Sequence, residues 1–322
     1  MKKQLRMLAV MLLLIPAISF SQQKDTLIKK LDSLSRKTDS AGTQVNNINP
    51  AAYNKTTGFT FSNYFILLGS DLKQEFTKPF HMTRKNWGKV AKFALVTGGL
   101  AFADEPIQQQ VLKLRSTNPG LNRVSNFVTS FGGLYETYTL AAFGAYGFIF
   151  KQEKMKATTL LATQAYLVGG ALEVFIKSIS GRTRPAYYSP NAEAEPKFYG
   201  PLSSKNKDAN GKSINTSFPS GHTTVAFAAA TVFALEYRNK PFIPLVAYSA
   251  ATLIGLSRIY ENKHWATDVA VGAAIGYLAG KNVVDNYHRY MKIKQPDKYK
   301  RSVSFSLHPF YGKMLPAVTY KF

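Results

Sequence analysis

Residues 219–235 read PSGHTTVAFAAATVFAL. The stretch opens on a proline, a hydroxyl, a glycine and a histidine, then runs apolar with no charge. Alanine and threonine dominate it, which suits a helix that other helices approach closely. Five more uncharged apolar segments lie at 93–103, 137–150, 157–172, 241–257 and 269–280. Together they predict an all-α chain of about six core helices. A membrane-spanning helix needs about 20 residues. These runs are shorter, so two readings stand: short spans with snorkelling ends, or core helices of a soluble bundle.

Working outward, the C-terminal tail (289–322) changes period. Val303, Phe305 and Leu307 alternate with serines, and Val318, Tyr320 and Phe322 alternate again. Pro309, Gly312 and Pro316 lie between, so the spacing predicts a short β-hairpin. At the other end, Lys2, Lys3 and Arg6 precede an apolar run from Met7 to Phe20, with small Ser19 and Ser21 at its close. That layout predicts a secretory signal peptide over 1–21 and export to the periplasm or cell envelope. Residues 22–85 read as a leader region. Leu27, Ile28, Leu31 and Leu34 give it a short amphipathic helix, and 43–58 reads as loop. The main domain is expected over 86–288.

Loop charge bears on the membrane question. After signal cleavage, six full spans would place the loops after the third and fifth segments in the cytoplasm. The loops with Lys151, Lys154 and Lys156, and with Arg238 and Lys240, would then lie outside. That opposes the positive-inside tendency. The expectation is therefore a mainly water-soluble or peripherally bound helical domain.

The chain has 322 residues, 41 Lys+Arg against 18 Asp+Glu, and a formal net charge of +23. A basic surface attracts polyanions such as phosphorylated substrates or anionic headgroups. The basic residues are scattered, and no nucleic-acid partner is expected. There is no cysteine, which excludes disulfides, thiolate metal sites and cysteine nucleophiles.

Three short motifs carry chemistry. The first is Lys177 followed by Arg184-Pro185, the second Pro219-Ser220-Gly221-His222, the third Ser257-Arg258, His264 and Asp268. A phosphoryl group in transfer spreads charge over three oxygens, and catalysis is mainly positioning and charge stabilisation. Lys177, Arg184 and Arg258 supply cations, and arginine can fork onto two oxygens. Ser220 offers a hydroxyl, and Gly221 lets the backbone approach an oxygen. The start of a helix there would add unpaired N–H groups, and Pro219 suits its first turn. His264 and Asp268 are four apart, so a helix would put them on one face. The carboxylate could then fix the imidazole tautomer and leave the other nitrogen as nucleophile. His222 is placed to protonate a leaving alkoxide and then to activate water.

Taken together, the motifs resemble those of the type 2 phosphatidic acid phosphatase (PAP2) family, shared with bacterial class A acid phosphatases and vanadium haloperoxidases. Every motif position is matched, over 177–268. The resemblance implies an all-α bundle with its motif loops at one end. It implies a phospho-histidine on His264, His222 as acid, and a phosphate held by Lys177, Arg184, Ser220, Gly221 and Arg258. No metal and no cofactor are expected.

Arg182, beside the first motif, is expected in a solvated role. The 186–218 connection carries Tyr187, Tyr188, Phe198 and Tyr199, which could line a pocket, touch lipid or pack over the bundle end. Three enzyme readings follow. The first is a phosphatase for a lipid phosphate or diphosphate of the cell envelope, with membrane surface contact. The second is a broad periplasmic acid phosphatase for soluble monoesters, and the third, a minor one, a vanadium haloperoxidase.

Overall fold

The computed structural model describes residues 59–188, 194–201, 203, 207–208, 211, 213–294, 302–310 and 313–321. The expected signal peptide, the amphipathic helix near Leu27–Leu34 and the 43–58 loop lie outside the described residues.

Nine α-helices run through the described residues. They are α1 (Phe61–Thr77), α2 (Arg84–Ala101), α3 (Asp104–Thr117), α4 (Pro119–Ser130) and α5 (Leu134–Ile149). Then come α6 (Glu153–Ser180), α7 (Gly221–Glu236), α8 (Phe242–Tyr260) and α9 (Ala266–Lys294). The all-α expectation is met, and the six apolar segments fall within α2 and α5 to α9, apart from a few flanking residues.

The quoted stretch becomes the central helix. α7 is buried on nearly every side, with Thr224, Ala228 and Val232 wholly inaccessible. A helix without a polar face must be enclosed by others, and α6, α8 and α9 enclose it. The α7–α9 contact is backbone to backbone. A Cβ at Gly272 would lie 2.7 Å from the Ser220 carbonyl oxygen, at Gly276 2.2 Å from that of Thr224, and at Gly280 2.5 Å from that of Ala228. Both sets of residues repeat every four positions, so a stripe of missing side chains on α9 receives one face of α7.

Three helices escaped the sequence pattern. α1 lies within the expected leader region, yet its Leu67 packs in the main core with Leu161, Val168 and Tyr287. Its polar residues are buried because α9 answers them. The Asn286 amide donates to Asp71 Oδ1 and Gln74 Oε1, each at 2.7 Å. α3 and α4 are short and contain no long uncharged run, and they attach to the end of α8 through polar groups. Arg115 donates to the Tyr260 carbonyl at 3.0 Å, the Tyr260 hydroxyl donates to Asn122 at 2.8 Å, and Thr129 and Ser257 share a 2.6 Å hydroxyl contact.

The surface weighs against the mainly water-soluble expectation. Helices α6 and α8 are long and apolar enough to cross a membrane. Phe102, Leu95, Ile149, Phe242 and Leu245 are each at least 65% exposed. A bundle bathed only in water rarely leaves so many large apolar side chains open.

The C-terminal hairpin is present as β1 (Ser302–Phe310) and β2 (Lys313–Lys321), with Val303 opposite Tyr320 and Phe305 opposite Val318. Pro309 and Pro316, expected in the connection, stand within the paired register.

Gly276→Ala should lower stability by about 3 kcal/mol, the upper range for overpacking a core, because its Cβ would meet backbone rather than a yielding side chain. Gly98→Ala in α2, with nothing within 4 Å, should instead raise stability by about 0.5–1 kcal/mol, the helix-propensity gain. Thermal melts of the purified protein check both.

Candidate active site

All three motifs meet at one end of the bundle, where helices α6 and α8 finish and α7 and α9 begin. Helix α6 stops at Gly181, whose left-handed φ of 59° suits glycine and closes its last turn. Lys177 sits in that turn and forms an ion pair with Glu173, four residues earlier on the same face. The Glu173 carboxylate also lies against Gly221, where a Cβ would come within 2.8 Å of Oε1. A side chain at 221 would push the Glu173 carboxylate off its place beside Lys177.

Ser220 is the residue before the first turn of α7, and Pro219 stands one further out rather than inside the helix. The Ser220 side chain does not cap α7. Its hydroxyl is fully buried and shares a 2.8 Å contact with Thr223. The α7 N-terminus therefore keeps the positive end of its dipole for an anion. The Ser220 N–H donates to the Asp268 carbonyl at 3.0 Å, tying the second motif to the third.

His264 is not on a helix with Asp268, as the spacing suggested. It lies in the turn before α9, while Asp268 occupies the first turn of α9. Its Nδ1 is 2.7 Å from the Ser217 carbonyl oxygen and 3.6 Å from Asp268 Oδ2. A carbonyl only accepts, so Nδ1 carries the proton and Nε2 keeps its lone pair. The tautomer is thus set chiefly by backbone, with the carboxylate behind it. Asp268 Oδ2 accepts instead from the Trp265 N–H at 2.9 Å and from the Ser217 hydroxyl. The Trp265 contact resembles the carboxylate half of a capping box.

Each cation is held in place. The Arg184 guanidinium donates to the Thr216 carbonyl at 3.3 Å, and Arg258 pairs with Glu261 at 2.8 Å. His222 lies under the α4–α5 turn, where a Cβ on Gly133 would be 3.4 Å from its Nε2. Burial, with Arg258, His264, Lys177 and Arg184 nearby, lowers the His222 imidazole to about 3. Burial lowers His264 to about 4, against the upward pull of Asp268, and Arg184 and Lys177 add to the lowering. Burial alone would raise Asp268, but His264, Arg182 and Ser217 together hold it below its usual value. Both imidazoles are therefore neutral at pH 7 in the free protein.

Arg182 corrects the sequence reading. It is 2% exposed rather than solvated, and bonds Asp104, Thr267 and Asp268. A buried guanidinium is stable only with such partners. Sequence reasoning also missed Glu173, Ser217, Asp104 and Trp265. Glu173 was open to detection through its four-residue spacing from Lys177. Asp104 carried no signal, since its partners lie far along the chain. Of the aromatics between the first two motifs, Phe198 packs edge-on against Phe218, and Tyr187 donates to the Ser213 carbonyl at 3.2 Å. Tyr199 stays 57% exposed.

Residues 158–291 match the PAP2 superfamily, and the chain carries a domain of that superfamily. Among individual proteins, it is 52% identical over 66 residues to a lipid A 1-phosphatase of Porphyromonas gingivalis, covering 20% of this chain and 15% of that one. It is 33% identical over 129 residues to lipid phosphate phosphatase 1 of Arabidopsis thaliana, covering 35% and 39%. A transmembrane PAP2 type phosphatidylglycerolphosphate phosphatase from Bacillus subtilis, known from a crystal structure, aligns with a TM-score of 0.42 at 23% identity, covering 65% of this chain and 96% of that one. The first two matches thus span well under half of either relative.

If both imidazoles are neutral as placed, NMR of protein labelled with 15N-histidine should show neither His222 nor His264 gaining a proton above about pH 5. A site imidazole titrating near its ordinary value of about 6.5 would contradict this geometry.

Proposed function

We propose that the protein is a phosphatase that removes phosphate from a lipid phosphate or diphosphate of the cell envelope through a phospho-histidine. The observation that carries this reading is His264: its Nδ1 proton is committed to the Ser217 carbonyl, so Nε2 is left as a nucleophile beside three fixed cations.

In the first step the Nε2 lone pair attacks phosphorus and the ester P–O bond breaks. Lys177, Arg184, Arg258 and the N–H groups at the start of α7 stabilise the three equatorial oxygens. Protonated His222 gives its proton to the leaving oxygen. In the second step water attacks phosphorus, the P–N bond breaks, and neutral His222 takes the water proton. Phosphate leaves and His264 regains its lone pair. The chemistry draws its positive charge from side chains and needs no metal.

His222 must therefore be protonated when substrate is bound, although it is neutral in the free protein. Burial is the first cause of its neutrality, and the cations Arg258, Lys177 and Arg184 add to it. A phosphate dianion would neutralise those cations and offer the buried imidazolium a counter-charge, so substrate favours the protonated form.

The lipid preference rests on the exposed apolar surface, on the two long apolar helices and on the names of the relatives. The basic and apolar start of the chain supports export, and the scattered positive charge suits an anionic membrane surface. Arg182 and Glu173 were not needed for this reading, but they explain how its parts stay in register.

The deciding assay is phosphate release by purified protein without divalent metal, from a lipid phosphate in mixed micelles and from a soluble monoester in parallel. Release from the lipid alone is expected. Comparable release from both would favour a general periplasmic phosphatase, and release from neither would refute the reading. His264→Ala should abolish turnover together with any acid-labile phospho-enzyme, and vanadate should inhibit the native protein. Arg184→Lys should cost about 10–100-fold in kcat, because a point charge cannot fork onto two oxygens.

In the pH dependence, kcat/KM for a dianionic substrate should fall as pH rises above about 4, because the free protein, with His222 and His264 both neutral, must take up a proton to react. The alkaline limb of kcat should lie well above the free value of about 3 for His222, since it reports the substrate complex. A kcat that falls away already above pH 4 would remove His222 as the acid.

A further inference from the structure

Behind the nucleophile lies a buried ionic cluster that the mechanism does not use. Arg182 Nη1 donates to Asp268 Oδ1 at 2.6 Å and to the Thr267 hydroxyl at 2.6 Å. Its Nη2 donates to Asp104 Oδ2 at 2.6 Å. Asp104 also accepts from the Thr267 N–H at 3.0 Å and from its hydroxyl at 2.6 Å. The guanidinium carbon sits 4.8 Å from the Phe198 ring centre and 5.5 Å from that of Trp265. None of the three charged groups is more than 2% exposed.

One cation is therefore shared between two carboxylates, and only one of these faces the nucleophile. Asp268 Oδ2 is 3.6 Å from His264 Nδ1, whereas Asp104 is the first residue of α3 and lies outside the 158–291 match. Out of contact with water, such charges are weakly screened. The negative charge that Asp268 presents to His264 depends on how much of Arg182 it keeps.

We propose that Asp104 and Arg182 are positioning residues that set the charge Asp268 presents to His264, and through it the basicity of the nucleophile. The inference builds on the phosphatase reading and adds a helix outside the matched domain to the catalytic apparatus.

The arrangement dictates opposite signs for two substitutions. Arg182→Gln leaves Asp268 uncompensated, so the imidazolium form of His264 is favoured and its titration moves up. Asp104→Asn gives Arg182 wholly to Asp268, so the titration moves down. The other charges near His264 are Lys177 with its partner Glu173, Arg184, and His222 with Arg258 beside it. All stay unchanged in both variants. A purely structural role would loosen the site in both and move both the same way.

The test uses the full chain in detergent micelles and reads His264 twice. One reading is the ring titration of 15N-histidine-labelled protein, and the other is the pH above which kcat/KM falls. Shifts on the order of one pH unit are expected, upward for Arg182→Gln and downward for Asp104→Asn. The double variant should return close to wild type. Arg182→Lys, which keeps the charge without the fork, should titrate like wild type while kcat falls, and it serves if Arg182→Gln does not fold. Shifts of the same sign, or none, overturn the proposal. If wild-type protein releases no phosphate, the functional reading fails, and the ring titration still decides this inference.

Discussion

The backbone contact between α7 and α9 is the constraint on which the site depends. Gly272, Gly276 and Gly280 let α9 lie directly on the carbonyls of Ser220, Thr224 and Ala228. That contact begins at the residue that opens α7 and ends deep in the core. It also sets Asp268, one turn before Gly272, within hydrogen-bonding distance of the Ser220 N–H. Ser220 and Asp268, 48 positions apart and in different motifs, thus share one backbone bond. A side chain in the seam would part the helices and separate the start of α7 from His264.

Around that seam, every charge has its partner. Lys177 is held by Glu173, Arg184 by the Thr216 carbonyl and Arg258 by Glu261. Among them stand the two imidazoles, which burial and the surrounding cations keep neutral. Behind them Asp268, Arg182 and Asp104 form a buried line of alternating charge. Buried charges are costly unless paired, and this arrangement leaves the positive charge around the imidazoles to be completed by an anion. Neutral imidazoles in a ring of cations are poised for a ligand that brings negative charge.

The exposed apolar side chains belong to the same picture. The proposed reaction needs water and a phosphate, while the walls of the bundle present Leu, Phe and Ile to their surroundings. A lipid phosphate has both a charged head and an apolar body, and such a surface can meet both.

The motif chemistry was legible because it is written in residue types with few alternative uses. Lys177, Arg184, His222, Arg258 and His264 point to a phosphate site whatever the fold, and uncharged runs such as 223–235 name helices because nothing in them can face water alone. The hairpin showed through its period of two. By contrast, α1 looked like leader because Asp71 and Gln74 interrupt its apolar pattern. Only packing against Asn286 makes those residues interior. The His264 tautomer was ascribed to Asp268 by spacing, yet the turn before α9 turns the ring toward the Ser217 carbonyl. Arg182 and Asp104 stand 78 positions apart, and no local pattern links them. The sequence by itself determined which groups could hold and attack a phosphate, because that is a matter of their chemistry. The tertiary structure alone decided which acceptor holds each donor and which charges are shut away from water, because hydrogen bonds and dielectric screening depend on distance in space and not along the chain.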